Sequence, residues 1–330
     1  MLKKWNDINN EAWSLLIGNG FSINLDRNFS YKSLFNSSQN LISQESINVF
    51  NVFKTTNFED VMSRYQHSAA ISEIYQKNNF SDILLEEQDS IRSALIKAIQ
   101  HIHPPFSDLA NYGSLEKISD ELKSYYKVFT TNYDLIPYWS MRSKNKSKFK
   151  DFFWHPNNNY FDFQNSEIRD PDHTTQIYYL HGALHIFEDD YNDTYKMKSS
   201  TEGNILSEVY RRIRNDRLPV FISEGSWREK YRKIKRSDYL IFCYENLKIS
   251  EEDLVIIGHS MTEDFDNHII SAIQTQPRKK IAFGIHRQTT PNVHLEKERI
   301  KHLFSKHHLE FFDSQTHPLG GEGLSPYAYP

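Results

Sequence analysis

Cysteine is almost absent from this 330-residue chain, which carries Cys243 alone. An intramolecular disulfide and a four-cysteine zinc ribbon are both excluded. Long apolar runs are missing too. No stretch could span a bilayer, and the opening Met1–Leu2–Lys3–Lys4–Trp5–Asn6–Asp7 has no apolar core of signal-peptide length. A soluble, cytoplasmic protein with no membrane partner is the expectation. Nor is there an excess of positive charge: the formal net charge of −4 sets up no overall basic field, so no direct nucleic-acid binding is expected. Internal repeats and low-complexity linkers are lacking, and the length suits one large α/β domain over residues 1–330.

Aromatic side chains are abundant. With 22 Phe and 19 Tyr the chain can build a substantial core despite a mean hydropathy of −0.67. Short β-type runs occur at Ser14–Gly18, Lys127–Thr131, Ile177–Leu180, Leu218–Ile222, Leu254–Gly258, Lys280–Ile285 and Leu309–Phe312. Segments with apolar residues at helical spacing separate most of them: Ser114–Tyr125, Leu206–Arg214, Phe265–Gln274 and His294–Phe304. This alternation predicts a Rossmann-like, doubly wound α/β fold with a mostly parallel sheet. The gap between the first two strands is too long for a simple crossover. Residues 31–125 read as several helices, among them Phe58–Ile74 and Asp82–His101, and are expected to form a helical insertion or cap over the site.

Four of the strand-like runs end in polar or glycine-containing motifs, and the carboxyl edge of such a sheet is where ligands bind. Gly18–Asn19–Gly20–Phe21–Ser22 follows the first; glycines there permit a tight turn and let backbone amides approach a phosphate. Ile23 stands where the dinucleotide fingerprint of hydride-transferring enzymes wants its third glycine, which disfavours a conventional dehydrogenase. Thr130–Thr131–Asn132–Tyr133–Asp134 follows the second. An amide such as Asn132 can orient a water or a ribose hydroxyl without changing charge, whereas Asp134 also suits the start of a helix with Pro137 in its first turn. The third edge is Tyr179–Leu180–His181–Gly182. His185 lies four residues beyond His181, but no His-Glu-x-x-His helix is present, so no metal is expected. Gly258–His259–Ser260 ends the fourth and could hold an adenosine ribose or its phosphates. Thr262 or Asp264 would cap the following helix in an ordinary strand-to-helix connection. His294, His302, His307 and His308 read as a solvated basic helix near the carboxyl terminus.

Together these edges resemble the sirtuin superfamily, in particular its bacterial NAD-hydrolase branch found in antiphage defence. Gly18–Ser22 resembles the family's glycine-rich nucleotide loop, and Thr130–Asp134 its Thr-Gln-Asn-Ile-Asp motif, with Asn132 on the catalytic asparagine. His181–Gly182 resembles the catalytic His-Gly pair, and Gly258–Ser260 the later Gly-Thr/Tyr-Ser loop. The resemblance runs in order from about Ser14 to Ile285. The family's zinc ribbon is missing, and Asp26–Arg27–Asn28–Phe29–Ser30–Tyr31 is only a distant substitute for its Gly-Ile-Pro-Asp-Phe-Arg cofactor loop.

The resemblance implies NAD as substrate, no metal, and cleavage of the nicotinamide–ribosyl bond by Asn132 and His181 to give ADP-ribose and nicotinamide. Gly18, Asn19, Gly20, Phe21, Ser22, Thr131, Asp134, Gly258, His259, Ser260 and Asp264 would bind the dinucleotide. A free NAD hydrolase would deplete its own cell, so a homo-oligomer or a separately encoded sensor or regulator protein is expected to control it. Two other readings stay open. One is an NAD-dependent protein deacylase or ADP-ribosyltransferase; the other is a non-catalytic sensor that binds NAD or ADP-ribose.

Overall fold

The computed structural model describes residues 1–8, 13–30, 34–75, 79–144, 146–153, 159–162, 174–197, 204–222 and 226–327. Ten strands occur in them: β1 (Trp13–Ile17), β2 (Lys127–Thr130), β3 (Phe149–Lys150), β4 (Thr175–Tyr179), β5 (Gly182–Glu188), β6 (Thr194–Lys196), β7 (Pro219–Phe221), β8 (Asp253–Ile257), β9 (Lys280–Ile285) and β10 (His308–Asp313). Seven of them form one sheet in the order β10-β9-β8-β1-β2-β4-β3, and every pairing in it is parallel. Helices flank it, giving the doubly wound Rossmann-like α/β architecture.

Central strands of such a sheet are covered on both faces, which is why β1 reads Trp-Ser-Leu-Leu-Ile with all five residues buried. The chain leaves β1 toward β2 on one side and later returns to place β8 on the other. That reversal opens a crevice at the carboxyl ends of β1 and β8, the usual ligand position in an open α/β sheet.

Leu218–Ile222 does not join the parallel sheet. Its core, β7, pairs antiparallel with β5 in a small three-stranded sheet, β6-β5-β7. The switch between sheets happens at Gly182, which follows β4 closely and has φ +69°; a Cβ there would lie 1.9 Å from the Val220 carbonyl oxygen. Only glycine allows both the left-handed backbone and that approach.

Between β1 and β2 the long segment is helical, and Phe58–Ile74 packs on Phe80–Ile102 as a helical hairpin. Phe58, Val61, Met62, Tyr65 and Ala69 of the first, with Ile91, Leu95, Ala98, Ile99 and Ile102 of the second, are buried at helical spacing. The C-terminal helix spans Val293–Leu303, so His307 and His308 lie beyond it, and His307 is buried with Nε2 3.2 Å from the Ile273 carbonyl oxygen. It is not the solvated residue expected from sequence.

Both ends of the described chain fold back onto this body. Lys3 pairs with Phe312 beside β10, and the Trp5 backbone N–H donates to Thr316 Oγ1 at 2.8 Å. Past β10 the chain crosses the short helix Asn19–Leu25. Asn24 Nδ2 donates to the Gly321 carbonyl at 3.0 Å, and Ser325 Oγ to that of Leu25 at 2.8 Å. Among the described residues no helix is long and apolar enough to cross a membrane.

Candidate functional site

A cavity of about 420 Å³ opens at the carboxyl ends of β1, β2, β4 and β8. Asn19, Gly20, Thr131, Asn132, Asp134, His181, Gly258, His259 and Ser260, all singled out from the sequence, line it. Asn19 and Ser260 are exposed at its mouth, while Asn132, Asp134 and His181 are buried. From the helical segment come Leu34 and Ile102, which join Ile23 and Phe29 in an apolar wall. Of the Asp26–Tyr31 loop, Phe29 reaches the cavity and Tyr31 lies outside the described residues.

Gly18, Phe21, Ser22 and Asp264 do not line the cavity, contrary to expectation. The glycine loop is stitched to the loop after β8: the backbone N–H of Gly18 donates to the Ile257 carbonyl at 2.9 Å and that of Gly20 to Gly258 at 2.8 Å. The amide of Phe21 donates to the Gly18 carbonyl at 3.0 Å. These amides are thus spent inside the protein rather than offered to a phosphate. The glycines serve the close approach of two loops. Gly258 has φ +66°, and a Cβ on it would stand 2.5 Å from the Phe21 nitrogen. Phe21 itself is core. Asp264 is exposed, and neither it nor Thr262 caps the helix Glu263–Thr275 through its side chain.

Ser22 has a different task. Its hydroxyl lies 2.6 Å from Asp134 Oδ2 and accepts from Asn132 Nδ2 at 2.7 Å. The other Asp134 oxygen accepts the Ile136 N–H at 2.9 Å, at the start of the helix Ile136–Ser143. An ionised carboxylate only accepts, so the Ser22 proton must point to Asp134, and the Asn132 amide must give Ser22 its NH₂. This chain fixes which way the asparagine faces. Asn132 Oδ1 is then buried without a hydrogen-bond partner. Burial pushes the Asp134 carboxyl up to about 6, against the hydrogen bonds from Ser22, Ile136 and Asn132 that favour its charged form.

Sequence reasoning missed His103, Lys230, Asp266 and His268. His103, just past the Phe80–Ile102 helix, accepts the Leu135 N–H on Nε2 at 3.0 Å and so steadies the Asn132–Asp134 loop from the helical side. Burial pushes its imidazole down to about 4. Lys230 and Asp266 line the cavity from two helices, Trp227–Ile234 and Glu263–Thr275, with Nζ and Oδ1 3.6 Å apart. Asp266 Oδ2 also lies 3.8 Å from His259 Nδ1, yet that nitrogen accepts the Met261 N–H at 3.2 Å. A nitrogen that accepts carries no proton, so His259 is neutral and this contact is no ion pair. Burial likewise holds His259 below its ordinary range.

His181 Nε2 lies 2.9 Å from His268 Nε2. Burial, then Lys230 and the neighbouring histidines, push His181 well below its ordinary range. His185, by contrast, points away from this chemistry: it packs on Tyr138 and Tyr179, and neither ring nitrogen has a partner. Among the described residues no cluster of His, Cys, Asp or Glu is arranged to hold a metal ion.

Fold and cavity define an α/β domain with an amide-and-histidine site at the switch point of a parallel sheet. The chain belongs to the family described as a domain of unknown function, DUF4917, which it matches over residues 15–319. No curated protein matches it.

Proposed function

We propose that this site cleaves the nicotinamide–ribosyl bond of NAD⁺ to give ADP-ribose and nicotinamide. The observation that carries the reading is Asn132: a buried amide, held by Ser22 and Asp134, with an unpartnered carbonyl oxygen in a cavity beside a neutral histidine. Ordinary glycosidases protonate a poor oxygen leaving group and so present a free pair of carboxyl groups. Here both carboxylates of the cavity are engaged, Asp134 by Ser22 and Ile136, and Asp266 by the Thr262 N–H and Lys230. A leaving group that departs neutral without a proton suits such a site. Nicotinamide, a cationic pyridinium in NAD⁺, is one.

In this reading Asn132 Oδ1 accepts a hydrogen bond from a ribose hydroxyl or from the attacking water. Neutral His181 takes up the proton released as the cation is quenched. The apolar wall of Ile23, Phe29, Leu34 and Ile102 excludes bulk water around the developing charge. The sirtuin-like order of the motifs supports the choice of NAD⁺. Such a hydrolase drains its own cell, which fits a regulated effector of antiphage defence controlled by homo-oligomerisation or a separate regulator.

The test is incubation of purified protein with NAD⁺, with and without an acetylated peptide, followed by product identification. Nicotinamide and ADP-ribose in equal amounts without peptide are expected. Binding of NAD⁺ without turnover, at every protein concentration tried, would overturn catalysis in favour of a sensor. Nicotinamide release only with peptide would favour an acyl transfer.

A further inference from the structure

The diphosphate of a dinucleotide needs a counter-charge, and the glycine loop does not supply one. The amides of Gly18, Gly20 and Phe21 end on carbonyl oxygens of the protein itself. Asn19 Nδ2 donates to the Phe29 carbonyl at 3.0 Å, and Asn132 Nδ2 to Ser22. Of the described residues that line the cavity, Lys230 alone is a lysine or arginine. Its side chain is 11% exposed, so its charge is held at the cavity and not in bulk water.

Six of the ten residues at 227–236 are Lys or Arg and one is acidic, in a chain of formal net charge −4. Such a run is ordinarily a solvated face. Here the helix Trp227–Ile234 is anchored, with Ile234 buried and Tyr231 against Tyr244 at a ring-centroid distance of 5.2 Å, and Lys230 reaches the cavity. A capping box of Ser226 and Glu229 fixes the first turn just before Lys230. The other cations of the run add a positive potential beside the cavity, which draws anions toward it.

Lys230 Nζ stands 3.6 Å from Asp266 Oδ1, and Asp266 Oδ2 accepts the Thr262 N–H at 3.3 Å. Compensation of a buried carboxylate is therefore one explanation of Lys230. It does not account for the pair lining a cavity that also holds Asp134, where an anionic ligand would meet two carboxylates. An ammonium carries three N–H donors on a four-carbon stem, so it can meet a phosphate oxygen while it stays beside Asp266.

We propose that Lys230 is the diphosphate-binding residue of this cavity, so that the anionic middle of the dinucleotide lies against the helices Trp227–Ile234 and Glu263–Thr275 and not on the glycine loop after β1. The proposal rests on the NAD⁺ reading above for the identity of its ligand. The apolar wall of Ile23, Phe29, Leu34 and Ile102 comes from other elements and is left for a flat ring.

Lys230→Met keeps most of the stem and removes the charge. ADP-ribose carries the diphosphate and binds without turnover, so its Kd by isothermal titration calorimetry reads the contact directly. Loss of a charge-assisted hydrogen bond should raise that Kd at least about tenfold. For NAD⁺, KM should rise with kcat much less affected, the mark of binding shared by ground and transition states. The same substitution is made in an Asp266→Asn background, where no buried carboxylate needs compensation, and the same loss is expected there. No effect in that background means that Lys230 serves only to neutralise Asp266, and the proposal falls. This comparison also decides the matter if Lys230→Met alone does not fold. An unchanged Kd in the parent background, or a parent that binds no ADP-ribose, overturns the proposal equally. If the parent binds ADP-ribose through Lys230 and cleaves no NAD⁺, catalysis fails and the phosphate contact stands. If it cleaves NAD⁺ and Lys230→Met binds ADP-ribose as the parent does, the contact fails and catalysis stands.

Discussion

Asp134→Asn should make the protein more stable and less active at the same time. The parent carboxyl titrates at about 6 instead of 3.8 because it is buried. Between those values the folded chain keeps a proton that the unfolded chain has lost, so stability attributable to this group falls as pH rises from about 4 to about 6 and stays low above. The full loss is about 3 kcal/mol, from about 1.4 kcal/mol for each pH unit separating the two values. An asparagine carries no such penalty, and its oxygen can keep the Ile136 N–H while its NH₂ faces Ser22. The Ser22 proton must then turn to Asn132, whose amide flips and shows the cavity an NH₂ instead of Oδ1. Stability and function therefore separate. Buried His103, His181, His268 and His317 lose stability in acid in both proteins, and the difference between parent and variant cancels them. Urea unfolding of both from about pH 4 to about pH 8 should show near-equal stability in acid and a gap approaching 3 kcal/mol in favour of the variant above neutrality. NAD⁺ turnover in the variant should drop about a hundredfold, the scale of a misaligned catalytic group. A gap that does not grow with pH would refute the buried-charge reasoning, and full activity would refute the relay through Ser22.

Asn132→Ala and His181→Ala should each lower NAD⁺ cleavage at least about a hundredfold while leaving the fold intact; near-parental turnover of either soluble variant excludes it from the chemistry. Gly258→Ala combines φ +66° with a Cβ 2.5 Å from the Phe21 nitrogen, and should destabilise by more than the roughly 1–3 kcal/mol of a strained backbone alone, read as a fall in Tm. His103→Phe leaves the buried Leu135 N–H without its acceptor and should cost about 1–3 kcal/mol in denaturant unfolding. Activity should survive strong chelators, and one tightly bound zinc per chain by elemental analysis would contradict the metal-free reading of the site.

Much of the sheet is legible in the sequence because a parallel strand covered on both faces must be a short apolar run. All seven expected runs are strands in the structure, and six lie in the parallel sheet. Leu218–Ile222 does contain a strand, but its place in the small antiparallel sheet is not legible, because composition signals a strand and not its partner. β5 was invisible for a related reason: it begins at Gly182, so no turn of ordinary length separates it from β4. Asn132, His181 and Gly258 could be found because each follows an apolar strand, where topology converts chain position into location. Lys230, Asp266 and His268 sit on helices, and nothing in an amphipathic pattern says which polar residues face a cavity. Asp264 and Asp266 illustrate this, since two residues of helix turn one into solvent and the other inward.

The segment around Gly321–Ser325, which lies over the helix Asn19–Leu25, bears on the order in which the fold comes together. Asn24 and Gly321 are 297 residues apart in sequence yet hydrogen-bonded. A chain is made from its amino terminus, so the segment bearing Asn19 and Gly20 emerges well before its partners around β8 and Gly321. β8, whose loop receives the amides of Gly18 and Gly20, is also made late. A nascent chain therefore cannot close this cavity before β8 and its loop have been made, and whatever chemistry it performs cannot begin earlier.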